Sequence, residues 1–315
     1  FCISFLSMKV PFLDLSLQHK ALREQAIAAL TATYDATRFC LGKDVDDFEV
    51  NFSKTLGYPR ALGVNSGTSP LHLAAVIAGW GPGDEVIVPA FTFISSAWGV
   101  SYVGATPRFV DIDARTFNLD PAAVEAAITP KTKGIVIVHL FGQPAPMDEL
   151  LAIAKKHNLF VVEDCAQAVE AKYKGTPVGL LGDIGTFSFQ ARKVICAGEG
   201  GMVVTNDERL YERAVRMSDV GQYRAFHEKQ HAATGAAFCG DNFRMSELTA
   251  AVALAQLRRL PRMLAHLRGF RERLMDKIGG MPGVQFRRIP HPPLKRFLTR
   301  LIQRWPQLLR EEVHR

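Results

Sequence analysis

The sequence predicts an α/β protein with a mostly parallel central sheet that is covered by helices on both faces. Short continuous runs of Val and Ile, such as EVIVP (85–89) and GIVIVHL (134–140), are typical of strands buried on both faces. Segments with helical spacing of apolar residues separate these runs, and the connections between them are short. The 315 residues, of which 48% are hydrophobic, are enough for one large domain and a smaller one.

Helices and strands alternate in the predicted order of elements. Apolar residues recur at helical spacing over 17–34 and 44–56, and SGTS (66–69) opens the next helix. Further helices are predicted near 92–102, 120–128 and 147–157 and over 246–277. Strands are predicted at 61–64, 85–89, 106–112, 134–140, 159–164, 186–190 and 201–206. Such an alternation is the pattern of consecutive strand–helix–strand units, in which the strands run parallel.

The positive charge of the protein is concentrated in its C-terminal part. The net charge is +7, but the last 58 residues contain 15 Lys and Arg against 4 Asp and Glu, so residues 1–257 are mildly acidic. A nucleic-acid partner is therefore an alternative that rests on overall charge alone, and we expect none. Apolar residues give the tail the pattern of an amphipathic helix instead: Leu294, Leu298, Leu301 and Ile302.

Cysteine usage predicts a reducing, cytoplasmic compartment. The five cysteines are odd in number and form no CxxC pair, so neither a disulfide framework nor a zinc site is indicated. No apolar run reaches the roughly 20 residues of a membrane helix, and we expect no membrane partner. The opening FCISFLS is short and lacks a positive segment before it, so residues 1–7 are predicted to precede a native start at Met8.

Three groups of polar residues follow predicted strands, where ligands of parallel sheets bind. NSGTS (65–69) opens a helix, and its N–H groups suit a phosphate, although Thr68 is expected to act as a helix cap in either case. Asp164 ends a buried strand and needs a partner, which is a protonated pyridine nitrogen or, alternatively, an arginine or backbone group. Lys193 stands between an apolar strand and a glycine-rich loop. Burial there lowers the pKa of the amine and prepares it to form a Schiff base, whereas most lysines are surface charges.

Taken together, these residues resemble one family. SFQARK (188–193) ahead of GEGG (198–201), with EDCAQ (163–167) and NSGT (65–68) before them, resembles the DegT/StrS-type sugar aminotransferases. These are pyridoxal-phosphate enzymes of the aspartate aminotransferase fold (fold type I). Further blocks continue the resemblance in the family's order over about residues 8–280: VPFLDL (10–15), GDEVIVPAFTF (83–93), FVDIDARTFNLD (109–120), VHLFGQPAPMDEL (138–150) and GDNFRMSELTAAVALAQL (240–257).

The resemblance implies a role for each residue around the coenzyme ring. Lys193 matches the lysine that holds pyridoxal 5′-phosphate as a Schiff base and then moves the substrate proton. Asp164 matches the carboxylate that pairs with the pyridine nitrogen and keeps it protonated. Gln167 matches the residue beside the 3-oxygen of the ring, and Phe93 the aromatic side chain that stacks on the ring face. The structural alternatives are a core position for Phe93 and backbone hydrogen bonding for Gln167.

The resemblance also implies a phosphate site and a second subunit. Gly67, Thr68 and Ser188 match positions that hold the coenzyme phosphate. Asn242 matches an asparagine that reaches the phosphate in the neighbouring subunit, which implies a homodimer with shared active sites. The structural alternative for Asn242 is a cap on the helix that starts near Ser246.

The implied function is transfer of an amino group from glutamate or glutamine to a nucleotide-linked keto sugar. Two alternatives stay open, namely a keto-cyclitol aminotransferase and a truncated, catalytically impaired member with a binding or regulatory role. A related dehydratase that uses pyridoxamine phosphate is disfavoured, because that branch carries histidine at the position of Lys193.

Two positions and the C-terminus depart from the family pattern. Arg192 stands where threonine or serine is usual, and Val169-Glu170 replaces a glycine-containing pair. We expect a large coenzyme-binding domain over residues 8–245 and a long helix with the start of the small domain over 246–290. A divergent basic tail is expected over 291–315, with the small domain incomplete. No metal site is predicted, and His72 and His139 are predicted to be structural.

Overall fold

A computed structural model describes Pro11 and residues 14–221 and 238–289, and it confirms the predicted α/β architecture. In chain order the strands are β1 (Ala61–Val64), β2 (Glu85–Pro89), β3 (Thr106–Val110), β4 (Thr132–Val138), β5 (Phe160–Asp164), β6 (Lys172–Tyr173), β7 (Thr176–Pro177), β8 (Ile184–Ser188) and β9 (Gly201–Val204). The helices are α1 (Ser16–Lys20), α2 (Arg23–Asp35), α3 (Lys43–Leu56), α4 (Ser69–Ala78), α5 (Ser95–Tyr102), α6 (Pro121–Ala127), α7 (Met147–His157), α8 (Glu208–Ser218) and α9 (Glu247–Ile278).

Seven strands form the central sheet in the order β1-β9-β8-β5-β4-β2-β3, and β6 pairs with β7 in a small hairpin. Only β9 runs against the others within this sheet, because it pairs antiparallel with both β1 and β8. The carboxyl ends of β1, β2, β4, β5 and β8 therefore lie along one edge. Each of the three polar groups predicted from the sequence follows one of these ends.

The two faces of the sheet are buried in separate hydrophobic clusters. Val162 and Ile184 belong to a cluster with residues of α4, α5 and α8. Phe187 lies on the opposite face, in a cluster with residues of α3 and α9. Successive residues of a strand point to opposite faces. Neighbouring side chains at the end of β5 therefore enter different surroundings.

The structure differs from the predicted elements at several boundaries. The helix predicted over 17–34 is interrupted at the buried Leu22, and β8 ends at Ser188 because Phe189 turns into a loop through hydrogen bonds with Gly200 and Ala197. The helix predicted near 92–102 begins at Ser95. Neither α8 nor the hairpin of β6 and β7 was predicted.

Some predictions are not tested by the described residues. Residues 1–7 and the tail 291–315, with its apolar positions from Leu294 to Ile302, lie outside them, and the predicted division into domains stays a prediction. Among the helices that the structure does describe, none has the length and hydropathy needed to cross a membrane.

Candidate active site

A cavity of about 420 Å³ lies at the carboxyl edge of the sheet. It collects side chains that are up to 133 positions apart in sequence, from Ser66 to Glu199. Seven of the eight predicted site residues line it: Gly67, Thr68, Phe93, Asp164, Gln167, Ser188 and Lys193. The sheet topology brings them together, because they lie at or shortly after the carboxyl ends of β1, β2, β5 and β8.

Asp164 is the buried acid of the cavity. It is the last residue of β5 and is 6% exposed. Ser96 Oγ donates a hydrogen bond to Asp164 Oδ2 over 2.7 Å, and the backbone N–H of Ala166 donates to Oδ1 over 3.1 Å. Thr92 Oγ1 lies 2.9 Å from Ser96 Oγ. The single hydroxyl proton of Ser96 is used on Asp164, so Thr92 is the donor in that pair and the three side chains form a relay.

Lys193 brings an amine to the same cavity. It is half-buried in the loop after β8, and its backbone N–H donates to the carbonyl of Gln190 over 2.8 Å. Burial lowers the pKa of the Lys193 amine because it disfavours the charged form, and the charge of Asp164 acts in the opposite direction with a smaller effect. The amine is therefore easier to deprotonate than that of a surface lysine, as the sequence predicted.

Gly67 and Ser188 meet in the wall of the cavity. A Cβ atom at Gly67 would lie 2.5 Å from both Cβ and Oγ of Ser188, so the close approach requires glycine. Thr68 occupies the N-cap position of α4, but its side chain makes no capping hydrogen bond, and the prediction that it acts as a cap is wrong. Ser66 Oγ accepts from the N–H of Ser69 instead, over 3.1 Å. The Thr68 hydroxyl pairs with Ser95 Oγ at 2.9 Å and stays at the cavity wall.

Phe93 and Gln167 form two further parts of the wall. Phe93 is 65% exposed, which excludes the core position considered as its alternative. Gln167 Oε1 accepts a hydrogen bond from the backbone N–H of Phe141 over 2.7 Å, so the backbone alternative holds for its oxygen. The amide nitrogen of Gln167 is not used in this bond and remains available as a donor on a side chain that lines the cavity.

Asn242 is the predicted site residue that does not line this cavity. Its backbone carbonyl accepts from Asn65 Nδ2 over 3.3 Å, next to the loop that carries Gly67. The capping alternative is excluded, because Ser246 caps α9 with its own hydroxyl by accepting from the N–H of Thr249. The contact of Asn242 with a second subunit stays a prediction.

Several cavity residues were not predicted from the sequence. Thr92 and Ser95 follow β2 and line the cavity, and Ser96 contacts it through Asp164. Small hydroxyl residues after a strand are the same signal that identified NSGTS. Arg192 also reaches the cavity, so this departure from the family pattern lies at the site. The other departure lies elsewhere, because Glu170 forms an ion pair with Arg268 of α9.

Glu163 precedes Asp164 but lies on the other face of the sheet. Its carboxylate is fully buried and accepts from the N–H groups of Gly179, Leu181 and Gly182 over 2.6–2.8 Å. His139 Nε2 lies 2.8 Å from Glu163 Oε2, and His139 Nδ1 accepts from the N–H of Ala145. The imidazole therefore carries its proton on Nε2 and donates it to Glu163.

His139 and Glu163 come close to Cys165, with possible ligand atoms within 4.8 Å of one another. A cation would need lone pairs that these hydrogen bonds already use. The arrangement supports the structural role predicted for His139.

A comparison with protein families identifies the family of this chain. The model of the DegT/DnrJ/EryC1/StrS aminotransferase family matches residues 20–307, which includes positions beyond the blocks that carry the resemblance. The chain belongs to this family.

Relatives and solved structures agree with this membership. GDP-perosamine synthase of Caulobacter vibrioides is 46% identical over 244 residues, which are 76% of this chain and 64% of the relative. The 3-amino-5-hydroxybenzoate synthase of Amycolatopsis mediterranei is 43% identical over 246 residues, 77% of this chain and 62% of the relative. The chain thus spans somewhat less than two thirds of the length of these two relatives.

The fold is that of the pyridoxal-phosphate-dependent aminotransferases. The crystal structure of S. venezuelae DesV in complex with a ketimine intermediate superimposes with a TM-score of 0.81 at 38% identity. The superposition covers 90% of this chain and 74% of that one. The predicted fold type is confirmed.

The side chains of the DegT/DnrJ/EryC1/StrS family member described here fit pyridoxal 5′-phosphate. The Lys193 amine with its lowered pKa and the buried carboxylate of Asp164 lie in one cavity, as the aldehyde and the ring nitrogen of the coenzyme require. Gly67 and the Thr68 hydroxyl, which makes no capping bond, lie at the N-terminus of α4, where a phosphate is favoured.

Proposed function

We propose that the protein is a pyridoxal-phosphate-dependent aminotransferase that moves an amino group from glutamate or glutamine to a nucleotide-linked keto sugar. The observation that carries the proposal is the combination of a half-buried amine with a lowered pKa, Lys193, and a buried carboxylate, Asp164, in one cavity at the strand ends. A partly buried amine whose pKa is lowered, in one cavity with a buried carboxylate, is an arrangement typical of a catalytic site.

The coenzyme, when bound, supplies an aldehyde carbon that links to amines and a ring that accepts electrons. Lys193 would hold it through Nζ. The same amine, whose pKa burial lowers, would take the proton from the substrate carbon and return it. Asp164 would accept a hydrogen bond from the protonated ring nitrogen, and its carboxylate is oriented by the donors on Ser96 and Ala166.

The remaining side chains bind and orient. Phe93, exposed at the wall, offers an aromatic face to a ring, and the Gln167 amide offers a donor to the oxygen beside it. Gly67, Thr68 and Ser188 hold the phosphate with backbone N–H groups and hydroxyls at the start of α4.

The names of the relatives support a keto sugar as the acceptor. They include a GDP-perosamine synthase and, in S. venezuelae, a dTDP-3-amino-3,4,6-trideoxy-alpha-D-glucose transaminase that is 39% identical. The 3-amino-5-hydroxybenzoate synthase keeps a cyclic keto acceptor without a nucleotide as the second candidate. Amino transfer to a nucleotide-linked keto sugar, measured beside a keto-cyclitol, separates the two.

We propose that the active unit is a homodimer with shared sites, in which Asn242 reaches the partner's coenzyme phosphate. An apolar face of α5 supports it, since Ile94, Trp98 and Tyr102 are exposed one helical turn apart beside the cavity. Mixing Asn242→Ala with Lys193→Ala protein tests sharing, because only a heterodimer with shared sites regains one intact site. A reducing, cytoplasmic compartment stays a prediction, with the free thiols of Cys165 and Cys196 in line with it.

The experiment for the main proposal is spectroscopic. Protein with pyridoxal 5′-phosphate is expected to show an absorbance band that borohydride fixes onto the Lys193 peptide, and glutamate is expected to discharge that band. Lys193→Ala is expected to lose both, whereas Lys131→Ala, at an exposed lysine, keeps them. A band that survives in Lys193→Ala contradicts the assignment. A band that glutamate and glutamine leave unchanged supports the impaired family member instead.

A further inference from the structure

The segment after α9 returns to the active-site edge of the sheet and buries one arginine there. Arg287 is 5% exposed, and its Nη1 donates to the backbone carbonyl of Leu140 over 3.0 Å. Its guanidinium carbon lies 5.7 Å from the ring centroid of Phe141. Leu140 and Phe141 belong to the turn Leu140–Gly142, which follows β4.

Burial of the Arg287 guanidinium carries a desolvation penalty, and packing alone does not explain why a charged side chain stands there. Burial lowers its pKa to about 10, and among the described residues no carboxylate lies within ion-pair distance of it. Its Nε has no hydrogen-bond partner there. An apolar side chain of similar length would fill the same space without this penalty, so the contact with the turn is the feature that needs a cationic donor.

The turn Leu140–Gly142 is held in a conformation that its sequence disfavours. Phe141 has φ 56° and ψ 29°, the left-handed region that bulky residues rarely adopt, and Gly142 follows with φ 78°. Such a backbone persists where its surroundings hold it. Arg287 holds it on one side through the carbonyl of Leu140, and Gln167 holds it on the other through the N–H of Phe141.

The second contact joins the turn to the cavity. Gln167 lines the cavity, and its Oε1 accepts from Phe141 over 2.7 Å, which fixes the direction of the amide and leaves its nitrogen available as a donor. If the turn relaxes, the N–H of Phe141 moves and the amide of Gln167 loses its orientation.

We propose that Arg287 is a positioning residue that fixes the Gln167 amide in the cavity by clamping the turn Leu140–Gly142. The role of that amide toward the coenzyme rests on the proposed function, whereas the clamp itself does not. The segment after α9 is thereby part of the construction of the site, although Arg287 itself does not line the cavity.

The test compares Arg287→Met with Arg288→Met, the same change at the exposed neighbour. With pyridoxal 5′-phosphate, Arg287→Met is expected to raise the dissociation constant about 3- to 10-fold and to shift the pH midpoint of the coenzyme absorbance. Arg288→Met is expected to leave both unchanged, and Arg287→Lys to restore them in part. In a Gln167→Ala background, Arg287→Met is expected to add less than about 2-fold, because the amide it positions is gone.

A second arm needs no coenzyme. Amide hydrogen exchange of residues 140–143 in the unliganded protein is expected to be faster in Arg287→Met and Gln167→Ala than in Arg288→Met. If the wild-type protein gives no coenzyme band, the proposed function fails, and the exchange of this turn still decides the clamp.

Equal exchange in the two arginine variants overturns the proposal. So does an Arg287→Met effect on the coenzyme that is undiminished without Gln167. Where Arg287→Met does not fold, Arg287→Lys and Arg287→Gln carry the same comparisons.

Discussion

Glu163 and Asp164 are adjacent on β5, yet the two faces of the sheet give them opposite surroundings. Glu163 accepts three backbone N–H groups and the His139 N–H, so every direction around its carboxylate is occupied by a fixed donor. Asp164 accepts one hydroxyl and one N–H and borders a cavity of about 420 Å³. One carboxylate is saturated by the fold, whereas the other keeps bonding capacity for a ligand.

From this difference we expect Glu163 to stabilise the fold and Asp164 to serve the proposed chemistry. Burying a carboxylate carries a desolvation penalty. The donors around Glu163 offset that penalty, and these bonds also fix the loop from Gly179 to Gly182. The donors around Asp164 orient it without using it up. Substitutions on the two faces should therefore change different measurable properties.

The largest expected effect comes from exchanging each acid for its amide. Asp164→Asn is expected to lower amino transfer about 10²- to 10³-fold, because the ring nitrogen loses its anionic partner, while the unfolding free energy stays within about 1 kcal/mol. Glu163→Gln is expected to lower the unfolding free energy by about 3 kcal/mol, because an amide nitrogen would face backbone N–H donors. Chemical denaturation and single-turnover kinetics of both variants measure the two effects.

The two amide variants serve as controls for each other. Loss of stability in Asp164→Asn comparable to that in Glu163→Gln would contradict the division between the faces. So would a Glu163→Gln protein that folds normally but has lost the reaction.

Glycines on the two faces extend the comparison. Gly67→Ala is expected to weaken coenzyme binding about tenfold, because its Cβ would meet Cβ of Ser188 at 2.5 Å, an atom that no rotamer change can move away. Gly185→Ala is expected to destabilise the fold, because its Cβ would collide with the backbone of Gly179 beside Glu163. Gly280→Ala, whose Cβ meets nothing within 4 Å, is the control. Coenzyme titration and thermal unfolding separate the outcomes. Unchanged coenzyme binding in Gly67→Ala would contradict the proposed phosphate site.

The relay from Thr92 through Ser96 to Asp164 gives a smaller effect. Ser96→Ala is expected to weaken coenzyme binding about 3- to 10-fold, because Asp164 loses the donor that fixes its orientation. Thr92→Ser keeps the relay and is expected to bind as the wild type does. Ser101→Ala, at an exposed serine of the same helix, is the matched control. Coenzyme titration by fluorescence measures all three, and a Ser96→Ala protein that equals Ser101→Ala would show that Ala166 alone orients the acid.

The sequence was sufficient to predict the strand ends and the two principal groups of the site. Asp164 and Lys193 follow Val- and Phe-rich strands, so their position at the carboxyl edge is fixed by the periodicity of the strands. The helix α8 was missed, although Asp207 caps it and its apolar residues have helical spacing. That signal was present in the sequence.

Other features depend on contacts that local sequence does not contain. Ser66 and Thr68 are both small hydroxyl residues before α4, and only the backbone geometry decides that Ser66 makes the capping bond. Arg287 meets Leu140 across 147 positions, so no local pattern identifies it. Glu163 and Asp164 are both acids at one strand end, and only the packing of the loop after Gly179 saturates the first of them.

The smallest expected effect concerns the stability that the unliganded protein loses by burying the Lys193 amine beside the cavity. Burial lowers the pKa of Lys193 below its usual 10.5. Between the lowered pKa of the folded state and 10.5, the unfolded chain binds more protons than the folded one. The unfolding free energy therefore rises with pH through that window. Below the lowered pKa the penalty for burying a charged amine is present in full, and above 10.5 it is absent.

Lys193→Met removes this penalty and keeps the backbone hydrogen bond of residue 193 to Gln190. The unliganded variant is expected to have a thermal midpoint higher than that of the wild type at neutral pH, by no more than about 2 °C, with the difference shrinking as the pH approaches 10.5. Lys131→Met, at an exposed lysine, is expected to show no such convergence. A difference between Lys193→Met and wild type that stays constant across the pH range would contradict this prediction. It would mean that burial of the charged Lys193 amine does not lower the stability of the unliganded protein.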